Sequence, residues 1–514
     1  MSDSLSALEL AKRSVNPYAS EGVFERVAAG GLEVITPADD IIMRWHGLYQ
    51  QRPKEAGLFM VRLKLPHGAI TAEQAMTVAR MAEELSTGRI DISTRQNLQV
   101  HSIPLAALPR VFASLNAAGL TTLGACGDAV RTIVGCPASG IAAEEVRDTL
   151  PLAQSLTHFF LRDLHYANLP RKLKIALCGC AQHCVPTEIN DVGLVAAPQA
   201  DEPGFVLSVG GGLAARPVLG VPLAWVSEED TTQVVAALAA IHRDHGNRQN
   251  RAKARMKHLL ALWGTERLRE ELERRVGRPL APVPQGWSPP GDGRDHLGVH
   301  PQNEPGRSFI GVPILAAQLS SAQLAGLARL AAEHGRGRLR FTHFQNVLVP
   351  DIPLDRVGAV LERLGEMGLP VDAHSWSGHT TVCPGREFCN KAVTHTRPVL
   401  LSLVETLARQ VLHAPVRLGM SGCPNGCAHH HLADIGFQGS ATTVEGTSQE
   451  RYDVWAGGDL SGPQPAFARR ILQRMPPDAL PEVVLGLLKR YQEEADDGEG
   501  FAAFARRVLW NAEA

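Results

Sequence analysis

Apolar positions recur at helical spacing in four stretches, 144–165, 231–245, 397–411 and 480–493, and each predicts an amphipathic helix. Two other stretches alternate instead. In 59–65 (FMVRLKL) a period of two puts Arg62 and Lys64 on one strand face and Val61, Leu63 and Leu65 on the other. In 171–177 (RKLKIAL) the same period aligns Lys172 with Lys174. Paired cations on a strand also suit a plain solvated sheet surface, so their role depends on what else they face.

The pattern repeats along the chain. Residues 89–97 (RIDISTRQN) match 338–346 (RLRFTHFQN), 249 positions further on. At the same offset Thr71 to Gln74 and Ser320 to Gln323 have capping-box form and open Ala/Leu-rich runs, so each copy reads strand, helix, strand. Residues 179–184 (GCAQHC) leading to Asp191 and Gly193 match 422–427 (GCPNGC) leading to Asp434 and Gly436, now 243 positions apart. The Pro and Gly density of 279–306 predicts a linker without a regular element.

The expected fold is α+β (α/β-like), internally duplicated and pseudo-twofold. It comprises an N-terminal segment with a first small β-α-β unit (1–125), a larger α/β domain (126–278), the linker (279–306), a second small unit (307–375) and a second α/β domain (376–514).

With 44% hydrophobic and 20% charged residues and a net charge of -2, the chain predicts neither disorder nor a basic nucleic-acid surface. No run of signal-peptide or membrane-spanning character appears, which reads as a soluble cytoplasmic protein with no membrane or nucleic-acid partner. A monomer is the working expectation.

The nine cysteines fall in two groups. Cys383 and Cys389 form C-x5-C, and Cys423 and Cys427 form C-x3-C. Soft thiolates select iron–sulfur or zinc, while zinc knuckles favour tighter pairs than C-x5-C. Buried structural cysteines remain the third reading at this point.

The segments CPGREFC (383–389) and SGCPNGCA (421–428), with Ala433 to Phe437 as ADIGF, resemble ferredoxin-linked nitrite and sulfite reductases, and the likeness covers most of the chain. It implies ferredoxin-like small units and two siroheme/iron–sulfur α/β domains. Cys383, Cys389, Cys423 and Cys427 would hold a 4Fe-4S cluster, and Cys427 would also bridge to siroheme. Arg62, Arg131, Lys172 and Lys174 would surround the substrate anion, with Lys172 and Lys174 as proton donors. Arg95 and Gln99 would contact siroheme carboxylates, and Asn425 would lie beside the macrocycle. The implied activity is six-electron reduction of a small oxyanion, fed by ferredoxin or a similar one-electron donor. Gly210 to Gly212 lacks the frame of a nicotinamide or flavin turn.

The likeness leaves the anion open. Lys174 is the residue expected in sulfite reductases, where plant-type nitrite reductases carry Asn, whereas Glu387 to Cys389 and Ala433 to Phe437 resemble the nitrite branch. A precorrin-type monooxygenase of the same superfamily and a zinc-binding redox sensor are the rival readings. The copies also differ. Arg62 faces Gly311 and Arg95 faces Phe344, while the first copy keeps Cys136, Cys180 and Cys184 but has Ala142 in place of a fourth thiol. That site reads as vestigial, with a second cluster as the alternative. His429, His430 and His431 are expected to be exposed or to sit behind the ligands. Tyr49 and Cys126 are the candidates for a cross-link found in some family members.

Overall fold

The computed structural model describes residues 5–511 except 200, 201, 215, 292–295, 411–414 and 461–464. The small units are two five-stranded antiparallel sheets, and each takes one strand from the other half of the chain. The first runs Leu48–Gln50, Leu58–Arg62, Leu98–Pro104, Arg89–Ile92 and then Gln318–Ser320. The second runs Gly298–Pro301, Arg307–Val312, Val347–Pro353, Arg338–Phe341 and then Ala69–Thr71.

Each borrowed strand follows a left-handed turn at matching positions, His67 (φ 53°) and Gly68 (φ 67°) in one copy, Ala316 (φ 51°) and Ala317 (φ 59°) in the other. At Gly68 a Cβ would stand 2.1 Å from the Phe341 carbonyl oxygen, so this crossing needs glycine, whereas the matching one accommodates Ala317. Both capping boxes form, with Gln74 N–H donating to Thr71 Oγ1 at 3.2 Å and Gln323 N–H to Ser320 Oγ at 3.1 Å. The helices they open, Ala72–Leu85 and Ser321–His334, bury one continuous core that includes Val78, Ile90, Leu327 and Leu339. Each such side chain contributes roughly 1.5–3 kcal/mol on full burial, which makes the two small units one interlocked body.

Each larger domain is a mixed five-stranded sheet. One runs Val221–Ser227, Gly204–Val209, Val192–Ala196, Ile175–Cys178, Val134–Gly135, and the other Thr380–Val382, Leu418–Ser421, Ile435–Val444, Thr447–Ala456, Arg469–Met475. The Asp-x-Gly repeat has a structural cause. Asp191 Oδ2 accepts the Lys174 N–H and Asp434 Oδ2 the Arg417 N–H, both at 2.8 Å, fixing the start of the preceding strand.

Three expectations need correction. Residues 298–301 of the expected linker form a strand, because Arg307–Val312 would otherwise leave an unpaired sheet edge. Residues 292–295 lie outside the described set. Of 144–165 only Leu150–Arg162 is helical, since Pro151 belongs in a first turn and the carboxylate of Glu145 instead binds the Gly140 N–H. The helix expected over 397–411 ends at Leu407, and Val411 is outside the described set. Thr231–His245 and Leu480–Glu494 fall where periodicity puts them. No described helix is long and apolar enough to cross a membrane.

Candidate functional site

Parallel pairing brings the second-copy thiols together. Thr381 lies opposite Gly419 and Val382 opposite Met420, so the loops that leave these strands carry Cys383 and Cys423 side by side. Gly422 N–H donates to Cys383 Sγ at 3.2 Å, Lys391 N–H to Cys389 Sγ at 3.4 Å and Asn425 Nδ2 to Cys423 Sγ at 3.4 Å. Such donors stabilise thiolates and cluster sulfurs. Burial pushes the Cys383 thiol up to about 12, an environment in which only a bound metal would keep it ionised. Cys427 is the exposed member.

The residues identical in both copies hold the frame. Gln96 Nε2 donates to Gly135 O at 2.9 Å and Phe341 O at 3.0 Å, while its Oε1 accepts the Gly135 N–H at 2.9 Å. Gln345 repeats this on Ile92 O (2.6 Å), Val382 O (3.0 Å) and Val382 N–H (2.7 Å). Each glutamine thus pins the residue preceding the first cysteine of its loop. Residues that differ between copies carry the charge.

Arg62 and Gln99 are cross-strand neighbours, and Arg62 Nε donates to Gln99 Oε1 at 3.0 Å. Arg62 also reaches Cys126 Sγ at 3.3 Å, so the buried thiol that the likeness pairs with Tyr49 has a cation beside it. Arg131 is buried, with its guanidinium on the carbonyls of Gly127 (3.0 Å) and Ala125 (2.6 Å). Arg95 binds Asn190 Oδ1 at 2.9 Å and the carbonyls of Thr132 and Ile175, yet its buried Nε has no partner.

The lysines lie just outside the strands, with Lys64 buried and Lys172 and Lys174 half-buried. Lys64 is buried with Nζ on the Val130 carbonyl at 2.9 Å, and burial, then Arg131 and Arg95, lower it to about 7. Burial, then Arg95 and Arg255, bring Lys174 to about 7 as well, against the opposing pull of Cys427 and Asp191. Burial and Lys174 lower Lys172. Neither the Lys172 nor the Lys174 side chain has an ion-pair or hydrogen-bond partner among the described residues.

Periodicity alone did not single out Arg255. It forms the fork with Asp191 (Nε–Oδ1 2.9 Å, guanidinium nitrogen to Oδ2 2.8 Å), whereas in the second copy Arg417, the counterpart of Lys174, reaches Asp434 at 3.2 Å. Supplying that partner from elsewhere in the chain releases position 174 for other work. Asp191 is the carboxylate embedded in this cluster, and it is already paired to Arg255. Cations so placed repel one another unless an anion joins them, which is the fit expected for a polycarboxylate macrocycle and a small oxyanion. The two halves meet there, as Thr94 Oγ1 donates to the Cys427 carbonyl at 2.8 Å.

At the pseudo-equivalent place lies a cavity lined by His183, Cys184, His343, Phe344, Arg417 and His429. Phe344 replaces Arg95 there, so one guanidinium is lost. Of the two expectations for His430 and His431, exposure does not hold, since both are buried. After a left-handed turn at His429 (φ 55°) both rings are buried against Trp455, at 5.8 and 4.7 Å between centroids.

With Arg95 serving a siroheme carboxylate, as the resemblance implies, Arg95→Ala is expected to weaken siroheme retention about 10- to 100-fold, the worth of one charge-assisted hydrogen bond at roughly 1.5–3 kcal/mol. The readout is siroheme absorbance after dialysis, with cluster iron unchanged.

The chain matches two family descriptions, each twice. "Nitrite and sulphite reductase 4Fe-4S domain" covers residues 126–280 and 377–508, and "Nitrite/Sulfite reductase ferredoxin-like half domain" covers 50–118 and 300–367. It is 35% identical to sulfite reductase (ferredoxin) 1 of Mycolicibacterium paratuberculosis over 98% of this chain and 93% of that protein. It is 33% identical to the ferredoxin–nitrite reductase of Synechococcus elongatus over 95% of this chain and 96% of that one. The solved structure of Mycobacterium tuberculosis NirA superposes with a TM-score of 0.91 at 33% identity, covering 98% of this chain and 96% of that chain. The duplicated architecture agrees with these matches, and the chain belongs to the nitrite and sulfite reductase family.

Proposed function

We propose that the protein reduces a small oxyanion, sulfite or nitrite, by six electrons at a siroheme joined through Cys427 to a 4Fe-4S cluster, with ferredoxin as donor. The observation that carries this reading is the convergence of unpaired Lys172 and Lys174, with Arg62, Arg95 and Arg131, on the interface that also presents Cys427. When bound, the two cofactors would supply the electrons of the reduction one at a time.

The chain's own residues do the rest. Arg62, braced by Gln99, and Arg131, braced by two carbonyls, present fixed positive charge to the anion. Lys172 and Lys174 hold protons where departing oxygen needs them, and burial makes them readier donors than a surface lysine. Arg95 and Gln99 serve the carboxylates of the macrocycle, and Asn425 holds the Cys423 sulfur.

Lys174 favours sulfite, the more highly charged of the two anions. Purified holoenzyme with reduced ferredoxin should turn over both, with the higher kcat/KM on sulfite. Lys174→Asn should lower kcat/KM for sulfite at least about tenfold more than for nitrite, equivalent to ~1.4 kcal/mol. A protein without siroheme bands, or one that consumes neither anion, would sink the reading.

A further inference from the structure

The first-copy cysteines, which read as vestigial in the sequence, form a compact group. Cys136, Cys180 and Cys184 are all buried, and their sulfurs lie within 4.8 Å of one another, the one such group among the described residues. They meet for the same reason as the thiols of the second copy. Val134–Gly135 and Ile175–Cys178 are parallel neighbours whose C-terminal ends release Cys136 and Cys180 side by side.

The spacing differs from that of the second copy. A tetrahedral zinc with Zn–S near 2.3 Å sets sulfurs ~3.8 Å apart and a sulfur and an imidazole nitrogen ~3.6 Å apart. Here Cys180 and Cys184 are 3.3 Å apart, and His296 Nε2 lies 3.5 Å from Cys136 Sγ. Apolar packing alone does not account for this, because even carbon atoms prefer ~3.5–4.0 Å and sulfur is larger.

The missing fourth thiol also has a substitute. Ala142 occupies its place, and the segment after His296 pairs with that loop through the Ala142–Gln302 bridge and the Asn303 N–H to Ile141 O bond at 2.9 Å. Gly311 permits the approach, since a Cβ there would stand 1.7 Å from the His296 carbonyl oxygen. Phe309, edge-on at 5.8 Å, orients the imidazole.

We infer that Cys136, Cys180 and Cys184 bind a single zinc ion, with His296 as the fourth ligand, as a structural site separate from the redox centre. His296 stands at the Cys136 corner, outside the three-thiol group, so ligation turns its ring toward the other two sulfurs. Such a Cys3His site staples the segment between the copies to the first large domain. It is built on a cluster position that has lost one thiol and gained a histidine.

The test is elemental analysis of the holoenzyme produced with zinc in the medium, with zinc-edge absorption spectroscopy for ligand identity. About one zinc per chain in a three-sulfur, one-nitrogen shell is expected, alongside the iron that siroheme and one 4Fe-4S cluster account for. Cys180→Ser should abolish zinc. His296→Ala, at a half-buried position, should fold with its visible spectrum intact and lose zinc to EDTA at least about tenfold faster. Zinc-free wild-type enzyme, iron beyond the two known centres, or a Cys180–Cys184 disulfide resisting alkylation would each overturn the assignment.

Discussion

Lys174→Ala is expected to leave siroheme and cluster bound while slowing anion reduction by about 10²- to 10⁴-fold, the range of a lost general acid. The reason is geometric as well as electrostatic. The ammonium is half-buried, has no side-chain partner among the described residues and is close enough to Cys427 for the two charges to interact, while its backbone N–H is held by Asp191. The effect should fall on kcat more than on KM, because Arg62 and Arg131 still bind the anion. A pH profile separates a proton donor from a packing residue. Lys174 must be protonated to donate, and in the protein alone it loses its proton as pH rises through about 7. Carboxylates and substrate raise that value, so the wild-type rate should fall on an alkaline limb above neutrality. The alanine variant should lack this limb. An unchanged rate would remove Lys174 from the chemistry.

The second large effect concerns stability. Asp91 is fully buried between His101 Nε2 at 2.6 Å and Arg397 at 2.5 Å, and Arg397 opens the helix that follows the Cys383–Cys389 loop. Burial alone would raise its carboxyl, but Arg397 and then His101 hold it well below the usual range. Asp91→Asn keeps the volume and strands a buried guanidinium, so a loss of about 3–5 kcal/mol is expected. The sign with pH follows. A carboxylate lowered in the folded state contributes stability that is present above its unfolded pKa of ~3.9 and lost as pH falls through the folded value. Urea midpoints of wild type and variant should therefore differ widely at neutral pH and converge in acid. Equal midpoints at pH 7 would show that the pair contributes nothing net.

The repeat was legible because both copies need the same frame. Gln96 and Gln345 make matching bonds, as do Asp191 and Asp434, and identical geometry demands identical residues. Departures from the repeat pointed to the site, since Arg95 against Phe344 and Arg62 against Gly311 mark where one copy keeps charge and the other does not. Alternation along 59–65 marked Arg62 and Lys64, but the strand ends at Arg62 and Lys64 lies beyond it. It could not say that Lys64 is buried, because period two assigns a face and not what covers it.

The sequence by itself determined the duplication, the four thiols of the second copy, the capped helices and the copy-specific cations, all properties carried by local spacing and residue type. Only the tertiary structure decided the rest. It exchanged strands between halves, moved the partner of Asp191 to Arg255, buried His430 and His431, and set His296 beside Cys136. Those outcomes depend on contacts between residues far apart in the chain. No local pattern encodes such pairings, because each is selected by what the folded core leaves within reach.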